Sequence, residues 1–173
     1  QDSGLPGTYI NQVVEGPHHN LWLAINGGLA RWNRTTDGFT VYRHDPRDTD
    51  SLGSDEVNAV SIDARGRIWI GTTEAGVDVL DPRTGRFEHL RHDPARPGSL
   101  SSNHVNALMR DRAGNLWVGT DQGLDELEAG RRTFRHFHHV SGDRGTLSSN
   151  DVWQVLEDSS GSIWVATDGG GLD

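Results

Sequence analysis

The chain has no cysteine and no lysine, one methionine, and no apolar stretch long enough to span a membrane. Without cysteine there are no disulfides and no thiolate-bound zinc, and such a chain suits an oxidising periplasm as well as a reducing cytosol. All 16 basic residues are arginine, a matter of genome composition rather than of chosen chemistry. They are outnumbered by 25 acidic residues, and the net charge of −9 repels phosphate backbones and anionic lipid headgroups. Nucleic acid is therefore not an expected partner. Gln1 is followed by a polar segment instead of a charged start and an apolar core, so the chain is expected to be cytosolic or to have lost a signal already.

Enzyme signatures are missing too. There is no Gly-x-Ser-x-Gly elbow and no zinc-protease motif, and Gly169-Gly170-Gly171 has neither the lysine nor the following helix of a phosphate loop. No catalytic residue, cofactor or metal ligand is expected. What is present suffices for a folded domain: 33% apolar residues and 22 glycines among 173 are close to the usual globular share.

The strongest positive signal is internal repetition. Trp22, Trp69, Trp117 and Trp164 are separated by 47, 48 and 47 residues. Leu5, Leu52, Leu100 and Leu147 each lie 17 residues before their tryptophan, and Ile10, Val57, Val105 and Val152 each lie 12 before. In the second copy an apolar run from Val57 to Ile62 meets the turn Asp63-Ala64-Arg65-Gly66, then a strand from Arg67 to Gly71. A third strand from Val77 to Leu80 and a fourth from Arg86 to Arg91 follow, again with turns between them.

Four short antiparallel strands per repeat of this length, with a recurrent tryptophan, describe one blade of a β-propeller. The fold class expected is all-β, a partial propeller in residues 1–173. Its blades fall at about 5–45, 52–93 and 100–140, with a half blade at 147–173. The first copy has Gly16 where the others have Asp63, Asp111 and Asp158, and His19 where they have Gly66, Gly114 and Gly161, so its first hairpin is expected to turn differently. Propellers close at roughly four to eight blades. An open array exposes strand edges and an apolar blade face, which predicts self-association.

The phrase running from Asn106 through Asp111-Arg112-Ala113-Gly114-Asn115-Leu116-Trp117-Val118-Gly119-Thr120, with Gly123-Leu124 after it, resembles the two-component regulator propeller repeat. The phrase recurs from Asp63 to Thr72, and from Asp158 to Thr167 with Ala166 in place of glycine. Ser99 to Val105 and Thr146 to Val152 are similar to the start of that repeat. The resemblance implies an extracytoplasmic, periplasmic sensor segment of a membrane-bound histidine kinase, hybrid kinase or diguanylate cyclase. Its membrane contact and output domain would lie in other parts of a parent protein, and its ligand would be a small molecule or a glycan. An enzyme of the streptogramin-lyase type, also a propeller, and a self-assembling interaction scaffold are the alternatives.

By analogy with propellers in general, ligands meet the loops that enter the innermost strand and those that join the second strand to the third. These loops hold Asn103, His104, Asn150 and Asp151, and Glu74, Asp121, Gln122 and Asp168, which form the candidate ligand-binding set. His136 and His138 share a strand face but lack a third ligand nearby, while His139 matches His44 and His92 and so belongs to the repeat. Arg43-His44-Asp45-Pro46 and Arg91-His92-Asp93-Pro94 read as strand exits with proline turns. The four periodic tryptophans read as core between blades.

Overall fold

A chain whose apolar residues alternate along short strands buries one face of each sheet only by stacking it on the next. The computed structural model, which describes residues 9–173, shows this stacking; Leu5 lies outside the described residues. Blade 1 comprises β1 (Ile10–Glu15), β2 (Leu21–Ile25), β3 (Gly28–Asn33) and β4 (Gly38–Tyr42). Blade 2 comprises β5 (Val57–Ile62), β6 (Ile68–Thr72), β7 (Val77–Asp81) and β8 (Arg86–Leu90). Blade 3 comprises β9 (Val105–Arg110), β10 (Leu116–Thr120), β11 (Gly123–Leu127) and β12 (Arg135–Phe137). Blade 4 comprises β13 (Val152–Glu157), β14 (Ile163–Thr167) and a two-residue β15 (Gly171–Leu172). Each sheet is antiparallel, with its strands paired in sequence order. The fold is thus an all-β propeller of four blades, the last of which has a third strand only just begun.

The blades meet through one repeated joint. Trp22 of blade 1 packs with Val57, Val60, Ile68 and Ile70 of blade 2. Trp69 packs with Val105, Leu108, Leu116 and Val118 of blade 3, and Trp117 with Val152, Val155 and Val165 of blade 4. The three tryptophans are 2%, 5% and 9% exposed, as core residues between blades should be. Trp164 departs from that expectation at 41% exposure, because among the described residues no fifth sheet lies over it.

A second joint element lies nearer the axis. Every innermost strand skips one residue in its pairing with the next strand, and the skipped residues are Asn11, Asn58, Asn106 and Trp153. A bulge of this kind re-aims the side chain it releases. The Nδ2 groups of Asn11, Asn58 and Asn106 donate to the carbonyls of Val57 (2.8 Å), Val105 (3.0 Å) and Val152 (3.1 Å) on the following blade. Blade 4 carries an exposed tryptophan at this position instead.

The first hairpin does turn differently. It passes through a short 3₁₀ element, Pro17–His19, with His18 at φ 62° and His19 at φ 57°. The glycines at the equivalent place, Gly66, Gly114 and Gly161, take φ of 76°, 88° and 89°. His19 therefore occupies the left-handed region that a side chain ordinarily avoids.

Candidate functional site

The candidate ligand loops do converge on one rim. The Thr73 N–H donates to the Glu56 carbonyl (3.0 Å), Asp121 N–H to His104 (3.4 Å) and Asp168 N–H to Asp151 (2.8 Å). Within each blade these bonds set the turn after the second strand beside the entry to the innermost strand. Neighbouring blades are linked as well, since Gly76 N–H donates to the Asn103 carbonyl at 2.8 Å.

The eight expected residues divide into two groups. Asn103 and Asn150 hold the loop before their strand, each accepting through Oδ1 a backbone N–H, from His92 (2.8 Å) and His139 (2.6 Å). Asp151 accepts from the Asn106 amide (3.1 Å). The side chains of Glu74, His104, Asp121, Gln122 and Asp168 make no hydrogen bond among the described residues. One carboxylate oxygen of Asp121 is buried without a donor.

On the outer side of the rim a cleft of about 350 Å³ is lined by His92, Ser101, Gln122, His136, His138 and Asn150, among others. It includes Gln122 and Asn150 from the expected set. His136 and His138 do share a face, with ring centroids 6.0 Å apart. The three periodic histidines have a structural part, as the repeat implied: the rings of His44, His92 and His139 donate through Nδ1 to the carbonyls of Leu52, Leu100 and Leu147 at 2.7, 2.7 and 2.6 Å. The adjacent Asp45 and Asp93 belong to the turns that follow.

One constellation was missed by sequence reasoning. Asp78 and Asp125, on the third strands of blades 2 and 3, are wholly buried. Asp125 receives the Ser101 N–H (2.7 Å), the Ser101 hydroxyl and the Nδ1–H of His136 (2.7 Å). Asp78 receives the Gly53 N–H (2.6 Å), with His89 Nδ1 and Arg91 Nη2 each 2.7 Å from its carboxylate. Asp173 repeats the start of the pattern, accepting from the Ser148 N–H and hydroxyl. The signal was present in Val77-Asp78, Leu124-Asp125 and Leu172-Asp173, which obey the repeat spacing. The first copy has Ala30 there.

Serine, histidine and aspartate within bonding distance invite a catalytic reading, but the arrangement differs from a hydrolytic triad. There, aspartate and serine engage opposite ring nitrogens. Here both Asp125 and Ser101 meet Nδ1, while Nε2 donates to the Pro97 carbonyl at 2.7 Å. A ring that donates from both nitrogens has no lone pair to act as base. Burial works against the charged ring, but the Asp125 carboxylate and the Pro97 carbonyl outweigh it and raise the His136 pKa above its ordinary value. The group is a clamp that ties the outermost strand of the blade to the loop entering it.

The turn aspartates have a similarly fixed part. Asp63, Asp111 and Asp158 accept from the indoles of Trp69 (3.2 Å), Trp117 (3.0 Å) and Trp164 (2.7 Å). Burial pushes the first two upward, yet the indole and backbone donors hold both below the usual carboxylate range. Asp158 lies well below it through the Ser160 hydroxyl, the Trp164 indole and backbone N–H groups.

The fold and its fixed polar joints define a repeat propeller whose rim loops vary from blade to blade. The two component regulator propeller family matches residues 51–74, 99–122 and 146–169, and the chain carries that family's repeat in these three copies. Solved structures with the same fold are described as extracellular domains of B. thetaiotaomicron signalling systems, BT3049 as that of a hybrid two component system and BT4673 as that of a hybrid two component system in one description and of a one component system in another. BT3049 has TM-score 0.84 at 23% identity and BT4673 has 0.78 at 25%; both matches cover 99% of this chain, and 25% and 22% of those chains. A histidine kinase of Formosa agariphila is 36% identical over 58 residues, 34% of this chain and 4% of that protein. The chain therefore spans a quarter or less of these relatives. Virginiamycin B lyase from Staphylococcus aureus shares the fold at TM-score 0.66 and 9% identity, over 98% of this chain and 56% of that one.

Proposed function

We propose that this chain is a ligand-sensing segment of the extracytoplasmic, periplasmic propeller of a bacterial membrane-bound signalling protein, and that it is not itself catalytic. One observation carries the reading. The three family-matched segments each run from the entry of an innermost strand to the turn after the second strand, which are the parts that build the rim. Within them the leucine, tryptophan and aspartate of the scaffold recur, while the rim residues change from Glu56 and Glu74 to His104, Asp121 and Gln122, and then to Asp151 and Asp168. A constant frame with variable loops suits recognition. The engaged Nε2 of His136 supports the non-catalytic part of the reading, and the descriptions of the relatives support the signalling context. Among the described residues no helix is long and apolar enough to cross a membrane.

The rim carboxylates disfavour anionic ligands by their field. A neutral, hydroxyl-rich ligand of glycan type fits best, held by Asp121, Gln122 and His104. Calorimetric titration with neutral and with uronic-acid oligosaccharides tests this. Binding of a neutral oligosaccharide, lost in Asp121→Asn and His104→Ala but kept in the remote Arg83→Ala, is the expected result. Binding that survives both rim variants, or no binding across the panel, overturns the assignment.

A further inference from the structure

The repeat changes in one place beside the rim, and the change frees a side chain. In blade 2 Arg91 follows the outermost strand, its guanidinium 2.7 Å from the buried Asp78 carboxylate and donating to the Val77 carbonyl at 3.1 Å. Gly53 makes room for it, since a Cβ there would collide with Arg91 Nη2. Blade 3 has Ser101 in place of Gly53, and His138 where the first two copies have Arg43 and Arg91. The Ser101 hydroxyl donates to Asp125 and so supplies the bond that the arginine makes in blade 2. His138 is thereby released from the clamp and lines the cleft of about 350 Å³ on the outer side of the rim.

The ring is held there in one tautomer. His138 Nδ1 donates to the Gln122 carbonyl at 2.8 Å, and the ring stacks on that of His136. His92 lines the same cleft, its Nδ1 donating to the Leu100 carbonyl at 2.7 Å. A carbonyl only accepts, so each Nδ1 carries the proton, and in the neutral ring each Nε2 is a bare lone pair. Neither Nε2 has a hydrogen-bond partner among the described residues. The Gln122 side chain and the Asn150 amide nitrogen are equally uncommitted, Asn150 Oδ1 being taken by the His139 N–H. The aspartate and arginine of the cleft, Asp93 and Arg96, pair with each other at 3.2 Å, and Pro97 adds apolar surface. Two acceptors, amide donors and apolar carbon suit a ring that carries both hydroxyls and C–H faces.

We propose that this cleft is a second saccharide subsite: an oligosaccharide seated on the rim at Asp121 and His104 passes over Gln122 and places a further sugar ring in the cleft, where its hydroxyls donate to Nε2 of His92 and His138. Gln122 joins the two places, as the residue after Asp121 whose side chain lines the cleft. Every residue of the cleft belongs to blade 3 or to the loops on either side of it. The inference rests on the rim reading for its class of ligand.

Calorimetric titration of this chain with neutral cello- and manno-oligosaccharides of two and four units tests it. The expected result is an affinity about tenfold higher for the longer chain, the scale of one or two added hydrogen bonds. In His138→Phe, which keeps a ring but has no nitrogen, the tetrasaccharide is expected to bind no more tightly than the disaccharide. Should that variant fail to fold, imidazole nitrogen NMR of the parent reports on the same atoms, with the Nε2 resonances of His92 and His138 moving on addition of the tetrasaccharide but not of the disaccharide. No gain with length, a gain that His138→Phe leaves unchanged, or Nε2 resonances that stay in place overturns the subsite and leaves the rim assignment standing. Binding that survives Asp121→Asn but is lost in His138→Phe overturns the rim assignment and supports the cleft. No binding at either length overturns both.

Discussion

The indole Nε1 of Trp117 donates to Asp111 at 3.0 Å, so the residue that closes the turn also fixes the ring that fills the joint to the next blade. The carboxylate also accepts the Asn115 N–H and side-chain amide (both 2.8 Å). In Asp111→Ala the indole N–H and the turn lose their acceptor, and leaving such groups unpaired costs about 1–3 kcal/mol. Urea unfolding should show a loss of that size. Because Asp63 and Asp111 have lowered pKa values in the fold, their contribution is complete above the ordinary carboxylate value of about 4 and is lost as pH falls through the folded values. The alanine variant should therefore show a shallower acid limb.

Blade 1 lacks this bond, and restoring the missing residue is expected to harm it. A Cβ at Gly16 would lie 2.9 Å from both Trp22 and the Ile62 side chain, so the indole occupies the place of the absent carboxylate. Gly16→Asp is predicted to destabilise by about 1–3 kcal/mol, the usual range for overpacking, although it brings the first copy closer to the other three. A gain in melting temperature would refute this.

Gly71 faces Val105 across the second joint so closely that an added Cβ would come within 2.6 Å of Val105 Cγ1. Gly71→Ala is predicted to cost about 1–3 kcal/mol through overpacking. The double variant Gly71→Ala, Val105→Ala should be more stable than the sum of the single losses, since the two changes share one contact. A double-mutant cycle on thermal or urea unfolding reads the difference.

The His136 clamp predicts a pH dependence of the opposite sign to that of the turn aspartates. A histidine whose pKa is raised in the fold contributes fully below its unfolded value of about 6.5, and that contribution is lost as pH rises through the folded value. Stability should decline across this neutral to mildly alkaline window, and His136→Phe should flatten the decline while lowering stability at pH 6. Asp125→Asn should flatten it as well, as the carboxylate is a principal cause of the shift. An unchanged slope in both variants would rule out the clamp as its source.

Much of the frame could be read directly from the residues. The spacing of Trp22, Trp69, Trp117 and Trp164 identifies four copies, and the strands expected from Val57 to Ile62 and from Arg86 to Arg91 are present, the second ending one residue earlier at Leu90. The altered first hairpin followed from Gly16 and His19. Strand ends moved by a residue, as when Thr72 joined β6, because the final pairing is set by the neighbouring strand. Of the candidate rim, the positions of His104 beside Asp121 and of Asp151 beside Asp168 followed from blade topology, whereas the structural bonds of Asn103, Asn150 and Asp151 did not.

What the sequence determined by itself was the blade: its period, its strands, its turns and the apolar residues between sheets, because these depend on local pattern and near neighbours. Only the tertiary structure decided which polar groups meet across repeats. The Asn58 amide on the Val105 carbonyl is 47 residues distant, and the Ser101 hydroxyl on His136 is 35. It also decided that Trp164, identical in motif to its three counterparts, stands in the open. Burial of a residue at a sheet face depends on what is stacked upon it, and no local pattern encodes the presence of the next sheet.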